Sequence, residues 1–300
     1  MRRAMVACVL AMLGTVAIGL AGAQQSAPAP LPAIQKVKDN LYVIAGSDAT
    51  NRAAFTGGNV GVFVTDAGVV LVDSKLANYG QAILDQVKSV TDKPITTLIN
   101  THTHGDHTGS NAYFGATVDI VAHENTKANM ERMDAFKGEN AKGLPDRTYK
   151  DRLTVGSGND RVELYYFGPG HTNGDTFVVY PALRVLHAGD MFPWRDAPFL
   201  DRANGGSGVE MPNSLAKAIA TIKDVETVIP GHNPVATFAD FQQFQRFTAD
   251  LLAEARTAHA AKKSADEAVA GSTLLSKYPG YKADRLKAAF EAIFAELNAR

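Results

Sequence analysis

From Leu41 onward the chain alternates two kinds of apolar pattern. Short β-branched runs with few polar breaks read as strands buried on both faces, and stretches with apolar positions three or four apart read as helices. Leu41 to Ala45 is the first run. Asn59 to Thr65 and Val69 to Asp73 flank Asp66-Ala67-Gly68 and predict a hairpin. Ile83, Val87 and Val90 are spaced for a helix over Tyr79 to Val90, and Ile95 to Asn100 is a further strand. Val118 to Ala122 predicts a strand followed by a polar helix through about Asp134; Gly138 to Gly158 reads as a polar loop region. Val162 to Phe167, Thr176 to Tyr180 and Val185 to His187 predict strands, Met211 to Lys223 a helix, and Thr227 to Ile229 a buried strand. Thr237 and Asp240 are spaced as a capping pair opening a long helix, and the remainder is Ala-rich and helical to its end in LKAAFEAIFAEL. Each half runs strands first and helices after. This predicts an α/β fold with two sheets face to face and helices outside.

The N-terminus follows another pattern. Arg2 and Arg3 precede an apolar run from Ala4 to Leu20, and Ala21-Gly22-Ala23 offers a small-x-small cleavage site. Residues 1–23 therefore read as an export signal removed on processing, with periplasmic or extracellular delivery and no stable membrane span afterwards. Residues 24–36, with the Pro/Ala stretch QQSAPAPLP, read as a linker. The catalytic domain is assigned to 37–245 and the C-terminal helices packed on it to 246–300. The only cysteine of the chain, Cys8, lies in the leader, so the processed chain holds no disulfide and no cysteine-ligated metal. The formal charge of −1 lacks the basic excess of a nucleic-acid binder, and losing Arg2 and Arg3 lowers it further.

The chemistry concentrates where Ile95 to Asn100 ends, in Thr101-His102-Thr103-His104-Gly105-Asp106-His107. His102 and His104 are two apart, so on extended backbone they point to one side. Gly105 lets the chain turn and bring Asp106 and His107 alongside. Such a cluster arises by chance in roughly 4 of 10,000 chains of this composition, so a metal site outweighs a hydrated loop. Imidazole and carboxylate donors suit zinc, and also iron or manganese. His171, Asp190 and His232 each follow an apolar strand and a glycine that frees the backbone to turn the ligand inward.

At these residues the chain resembles the metallo-β-lactamase superfamily, over about Leu41 to Phe241. The resemblance implies a four-layer αβ/βα sandwich with metals in a groove at one edge of the two sheets. It implies that His102, His104 and His171 hold one zinc ion, that Asp106, His107 and His232 hold a second, and that Asp190 bridges them. Asp73 becomes a buried support of the ligands. Two zinc ions sharing a bridging water lower its pKa toward about 7, which supplies hydroxide to attack a carbonyl. Asp106 can orient that water or take its proton.

The lack of cysteine at the position of Asp190 excludes two of the three β-lactamase subclasses. Asp190 itself departs from the third and matches the glyoxalase II, lactonase and RNase Z branches. Export argues against the cytosolic roles of glyoxalase II and RNase Z. The expectation is an exported dinuclear zinc hydrolase acting on a small-molecule ester, lactone, thioester or lactam. The alternatives are a cysteine-free β-lactamase, an iron-dependent sulfur dioxygenase and a non-catalytic metal-binding protein. Phe55, within Ser47 to Gly58, and Trp194 and Arg195, within Phe192 to Phe199, are the substrate-loop candidates. Arg195 can pair with a substrate carboxylate, with Asp196 or with Asp201. His187 reads as a neighbour of the ligands or as core, His123 as a helix cap and His259 as exposed. The C-terminal apolar positions Phe290, Ile293, Phe294 and Leu297 fit core or a contact between copies, which leaves a homo-oligomer open.

Overall fold

A computed structural model of the chain describes residues 29–47, 51, 53–193, 195–232 and 234–299. The leader, the start of the linker and Trp194 lie outside the described residues. The first sheet has seven strands lying side by side in chain order: β1 (Gln35–Lys38), β2 (Leu41–Ile44), β3 (Val60–Val64), β4 (Val69–Val72), β5 (Ile95–Ile99), β6 (Asp119–His123) and β7 (Arg147–Tyr149). The second has six, running inward from its edge: β8 (Arg152–Val155), β9 (Val162–Tyr165), β10 (Phe177–Tyr180), β11 (Val185–Gly189), β12 (Thr227–Pro230) and β13 (Ala236–Thr237). β1 to β4 pair antiparallel and β4 to β7 parallel. In the second sheet β11 and β12 run parallel while the other neighbours are antiparallel.

The apolar runs are explained by burial on both faces. Val70 and Val72 of β4 point into the core between the sheets, against Val178 and Tyr180 of β10. Their neighbours Val69 and Leu71 point outward onto Ile83 and Val87 of α1 (Gly80–Lys88). Phe177 and Val179 likewise face the opposite helical layer. The period of two thus feeds two cores, and the αβ/βα sandwich is present. The outer layer on the second sheet is built by α5 (Met211–Thr221), α6 (Phe238–Ala260), α7 (Ala265–Ala270), α8 (Leu274–Lys277) and α9 (Leu286–Asn298). Thr237 and Asp240 form the expected capping box at the start of α6. Among the described residues no helix is long and apolar enough to cross a membrane.

Several boundaries differ from expectation. Gln35 and Lys36, given to the linker, are the start of β1. The region read as loop between Gly138 and Gly158 contains β7, in which Arg147 and Thr148 are exposed, and β8, in which Arg152 and Thr154 are exposed. α6 continues through position 245, where the catalytic domain was set to end. Phe290 and Ile293 of α9 sit in the same core as Phe241 and Phe244 of α6. Each contributes on the order of 1.5–3 kcal/mol by burial, so these helices are part of one core and not an appendage.

Candidate metal centre

Parallel neighbours place their C-terminal ends at one rim, and ligands in open α/β sheets gather outside those ends. Asp73 follows β4, His102 to His107 follow β5, Asp190 follows β11 and His232 follows β12. His171 comes from the turn between β9 and β10. The chain leaves β5, and Gly105 opens the short helix α2 (Gly105–Thr108), which carries Asp106 and His107. One sheet supplies four of the seven candidate ligands together with Asp73, and the other supplies three.

The side chains converge as two groups. His104 Nδ1 lies 3.2 Å from His102 Nε2 and 2.9 Å from His171 Nε2. His232 Nε2 lies 3.3 Å from both His107 Nε2 and Asp106 Oδ2. A tetrahedral zinc ion, with ligands at about 2.0–2.1 Å, separates them by roughly 3.3 Å, so both groups have the edge lengths of a coordination shell. Asp190 lies between them. Its Oδ2 is 3.6 Å from His171 Nε2 and 3.4 Å from His232 Nε2, and its Oδ1 is 3.4 Å from His107 Nε2. Among the described residues Asp190 Oδ1 is buried without a hydrogen-bond partner. Such an atom is costly unless a cation answers it. The donor set and this unanswered oxygen fit two divalent ions.

The opposite ring nitrogens are held. His107 Nδ1 donates to Asp73 Oδ2 at 2.8 Å, and His171 Nδ1 donates to the Phe199 carbonyl at 2.7 Å. His104 Nε2 donates to Asp201 Oδ2 at 2.7 Å. His102 Nδ1 lies 3.0 Å from Thr101 Oγ1, which in turn donates to Asp73 Oδ2 at 2.7 Å. These bonds leave His102 Nε2, His104 Nδ1, His107 Nε2 and His171 Nε2 as lone pairs aimed at the two foci. Asp73 is wholly buried, with φ +67°, and its Oδ1 also accepts from the Thr101 backbone at 2.8 Å. It thereby braces Thr101 and His107. His187 is buried between the sheets beside Gly61, and its Nδ1 accepts from the Gly189 amide at 3.3 Å. Backbone crowding explains two glycines: a Cβ at Gly58 would collide with the His107 ring, and one at Gly231 with Asp190 Oδ1.

Charge divides the two foci. Burial, reinforced by the neighbouring His107, lowers the pKa of His102 well below the usual value; burial with His104 takes His171 to about 4. Both are therefore neutral donors at physiological pH. Burial also opposes charge on His107, yet the Asp106, Asp190 and Asp73 carboxylates outweigh it and lift the imidazole to about 10. The second focus demands a cation, and a metal ion satisfies the same field. Burial works against ionisation of Asp106, but His107 and His232 bring it to about 2, so it is a carboxylate.

Sequence reasoning missed four supporting residues. Asp201 fixes His104. Thr101 links His102 to Asp73. Asp175 accepts from the Thr172 amide at 2.9 Å and from its hydroxyl at 2.7 Å, holding the turn that presents His171. Lys75 is completely buried with its ammonium on the Ala45 carbonyl at 2.5 Å. Burial lowers its pKa to about 7 against the pull of Asp106 and Asp73. A strand-end polar residue in a single sequence does not distinguish such supports from ordinary turns. A groove of about 1080 Å³ opens onto the metal foci, walled by Phe55, Tyr113, Phe136, Phe199, Lys142 and Arg285 among others. Phe55 stacks on His232 with centroids 5.9 Å apart. Arg195 pairs with Asp240 on α6, and with neither of the acids expected from its own loop.

Comparison with known proteins agrees with this architecture. The chain is 27% identical over 249 residues to a metallo-beta-lactamase type 2 of Elizabethkingia meningoseptica, covering 80% of this chain and 92% of that one. It is 36% identical over 143 residues to a 2,4-dinitroanisole O-demethylase subunit alpha of Nocardioides sp. (strain JS1661), covering 43% of this chain and 41% of that one. The solved metallo-beta-lactamase from Pontibacter korlensis superposes with a TM-score of 0.63 at 20% identity, over 73% of this chain and 99% of that one. The family model of the metallo-beta-lactamase superfamily matches residues 53–232, a stretch that contains all seven candidate ligands. The chain therefore belongs to the metallo-beta-lactamase superfamily and is a metal-dependent hydrolase.

Proposed function

We propose that the protein is an exported dinuclear zinc hydrolase that opens an ester, lactone, thioester or lactam bond in a small molecule. The observation that carries this reading is the pair of ligand groups meeting over the single carboxylate of Asp190. His102, His104 and His171 would hold one ion, Asp106, His107 and His232 the other, with Asp190 shared. When bound, the ions supply an acidified water and a Lewis acid for the carbonyl oxygen. The chain's own residues do the rest. Asp106, ionised and facing the groove, accepts a hydrogen bond from the attacking water and can take its proton. Phe55 and Phe199 wall the groove beside His232 and His104, holding an apolar substrate portion and displacing water around the scissile bond. Export rests on the leader pattern of residues 1–23, and N-terminal sequencing of the mature protein should begin at Gln24.

A β-lactamase of the cysteine-free type is the second reading, favoured by relatives that are named metallo-beta-lactamases. The demethylase relative, whose name gives an aryl ether as substrate, favours keeping non-lactam electrophiles in view. The test is metal analysis of the full chain together with a panel of lactams, lactones, thioesters and aryl esters. Two zinc ions per chain and turnover that is lost in Asp106→Ala are expected. Stoichiometric iron with activity indifferent to zinc removal, or no turnover of any substrate by the zinc-loaded protein, would refute the proposal.

A further inference from the structure

Tyr113 and Phe199, 48% and 45% exposed, are the most exposed large apolar side chains among the described residues, and both line the groove. Phe199 belongs to its metal end, with the ring centroid 5.8 Å from both His104 and His171. Tyr113 lies on α3 (Asn111–Phe114), which follows α2 in the chain. Gly105, Gly109, Ser110 and Ala112 come between His104 and Tyr113, and all of them line the groove. Where a Cβ would stand at Gly105 there is open space. The groove thus continues from the metal ligands along α2 and α3 as an open arm with a half-exposed aromatic ring in its wall.

That ring is held in place. The Tyr113 hydroxyl donates to Gln81 Oε1 at 2.6 Å, and the ring packs edge-on against Phe114 with centroids 5.0 Å apart. It lies so close to Gly80, the first residue of α1, that a Cβ there would collide with Cβ, Cγ and Cδ1 of the tyrosine. The polar atoms nearby already have partners. Gln81 Nε2 donates to Asp85 Oδ1 at 2.8 Å. Ser110 Oγ donates to the Leu76 carbonyl at 2.6 Å and accepts from the Tyr79 amide at 2.9 Å. Leu76, Ala77, Ala112, Ala135 and Phe136 add apolar lining. Asn78, Asn140 and Lys142, the other polar side chains of this arm, are exposed to solvent. A polar group entering the arm would lose its water and find these inner donors and acceptors taken, while an apolar group loses nothing.

We propose that this arm is a subsite for an extended apolar chain, and that the substrate carries such a chain along Tyr113 while its scissile bond lies at the histidine cluster. The proposal rests on the hydrolase reading above and adds to it the length and polarity of the substrate. Tyr113 is then a specificity-determining residue, and Gly80 is the residue that makes room for it.

The test titrates acetohydroxamate and octanohydroxamate into the zinc-loaded full chain by calorimetry. The two share a metal-binding head and differ in chain length alone. A fully buried methylene is worth about fourfold in affinity, and one in an open groove about twofold. The longer compound should therefore bind roughly 30- to 100-fold more tightly. Tyr113→Ala should cut that gain by about tenfold, whereas Tyr113→Phe, which keeps the ring, should retain it. Ala135→Trp, which narrows the arm from an exposed position, should also reduce it. The ratio of kcat/KM for an aryl octanoate over the aryl acetate reads the same preference in turnover. If neither ester is hydrolysed, the hydrolase reading fails, and the titration alone still decides on the arm. A wild-type gain below about threefold, or a gain that Tyr113→Ala and Ala135→Trp both leave intact, overturns the assignment.

Discussion

The replacement Asp73→Asn isolates what one buried carboxylate does for two metal foci. Asparagine is isosteric and accepts the left-handed backbone that Asp73 adopts at φ +67°, so the fold is expected to survive. The Oδ1 bond from the Thr101 amide can be kept by the amide oxygen. The amide nitrogen then stands where Oδ2 stood, facing the His107 N–H and the Thr101 hydroxyl. The hydroxyl can rotate away, but the ring nitrogen cannot. The His107 bond, a charged one with a net worth of about 1.5–3 kcal/mol, is therefore lost outright. Loss of such an outer support typically costs 10- to 100-fold in metal affinity, or about 1.4–2.7 kcal/mol, which agrees. The focus of Asp106, His107 and His232 should weaken by that amount. The focus of His102 feels Asp73 through Thr101 alone and should weaken less. Competition of the metal-free protein with a chromogenic chelator, fitted to two steps, resolves the two affinities, and circular dichroism checks the fold. Equal weakening of both steps, or none, in a folded variant would refute the argument.

Asp201→Asn should give the reverse pattern, weakening by about tenfold the focus that contains His104 and sparing the other, in the same chelator competition. Gly231→Ala should displace Asp190 and lower the metal content measured by mass spectrometry below two ions per chain, because its new methyl meets Asp190 Oδ1. Phe290→Ala should destabilise the protein by about 3–5 kcal/mol in denaturant unfolding, since the ring is completely buried in the core shared with α6. His123 caps α4 (Glu124–Glu131), accepting from the Asn125 amide at 3.2 Å and donating to the Lys150 carbonyl at 2.7 Å. Burial depresses its pKa against the pull of that carbonyl and of Glu124 and Asp151. The unfolded chain therefore binds this proton more readily, and stability should fall as pH drops below about 6.5, by up to about 1.4 kcal/mol per unit. In His123→Asn, which retains a capping side chain, the acid limb of an unfolding-versus-pH curve should be shallower; an unaltered limb would show that His123 does not contribute.

The strands that bury both faces were legible because nothing but a continuous apolar run satisfies two cores. Val69 to Val72 and Phe177 to Tyr180 are the plainest cases. The histidine cluster was legible as a candidate metal site because H-x-H-x-D-H has few other uses. β1, β7 and β8 were not, since they are short, near the sheet edges and partly polar, and their pairing is decided by strands distant in sequence. Asp201 was hidden for a related reason. It is 97 residues from the histidine it holds, and nothing local marks it as a neighbour of the histidine cluster. Arg195 shows the converse error of proximity: sequence offered its loop neighbours Asp196 and Asp201, while the fold supplied Asp240.

The division of the ligands between the two sheets bears on more than catalysis. Beyond the short turn between β7 and β8, the rim that holds His102 and His107 meets the rim that holds His171, Asp190 and His232 through side chains and through two backbone hydrogen bonds, from the Thr176 amide to the Thr101 carbonyl at 2.7 Å and from the Asn59 amide to the Gly231 carbonyl at 2.6 Å. Bound ions would act there as a removable rivet between the two halves. Stability would then follow the surrounding free metal concentration, rising by about 4.1 kcal/mol at a thousandfold excess over the dissociation constant. A chelating environment would withdraw activity and mechanical closure of that rim together. Amide exchange after chelation should accordingly rise first at the strand ends beside the groove and last in α6, on the far side of the second sheet.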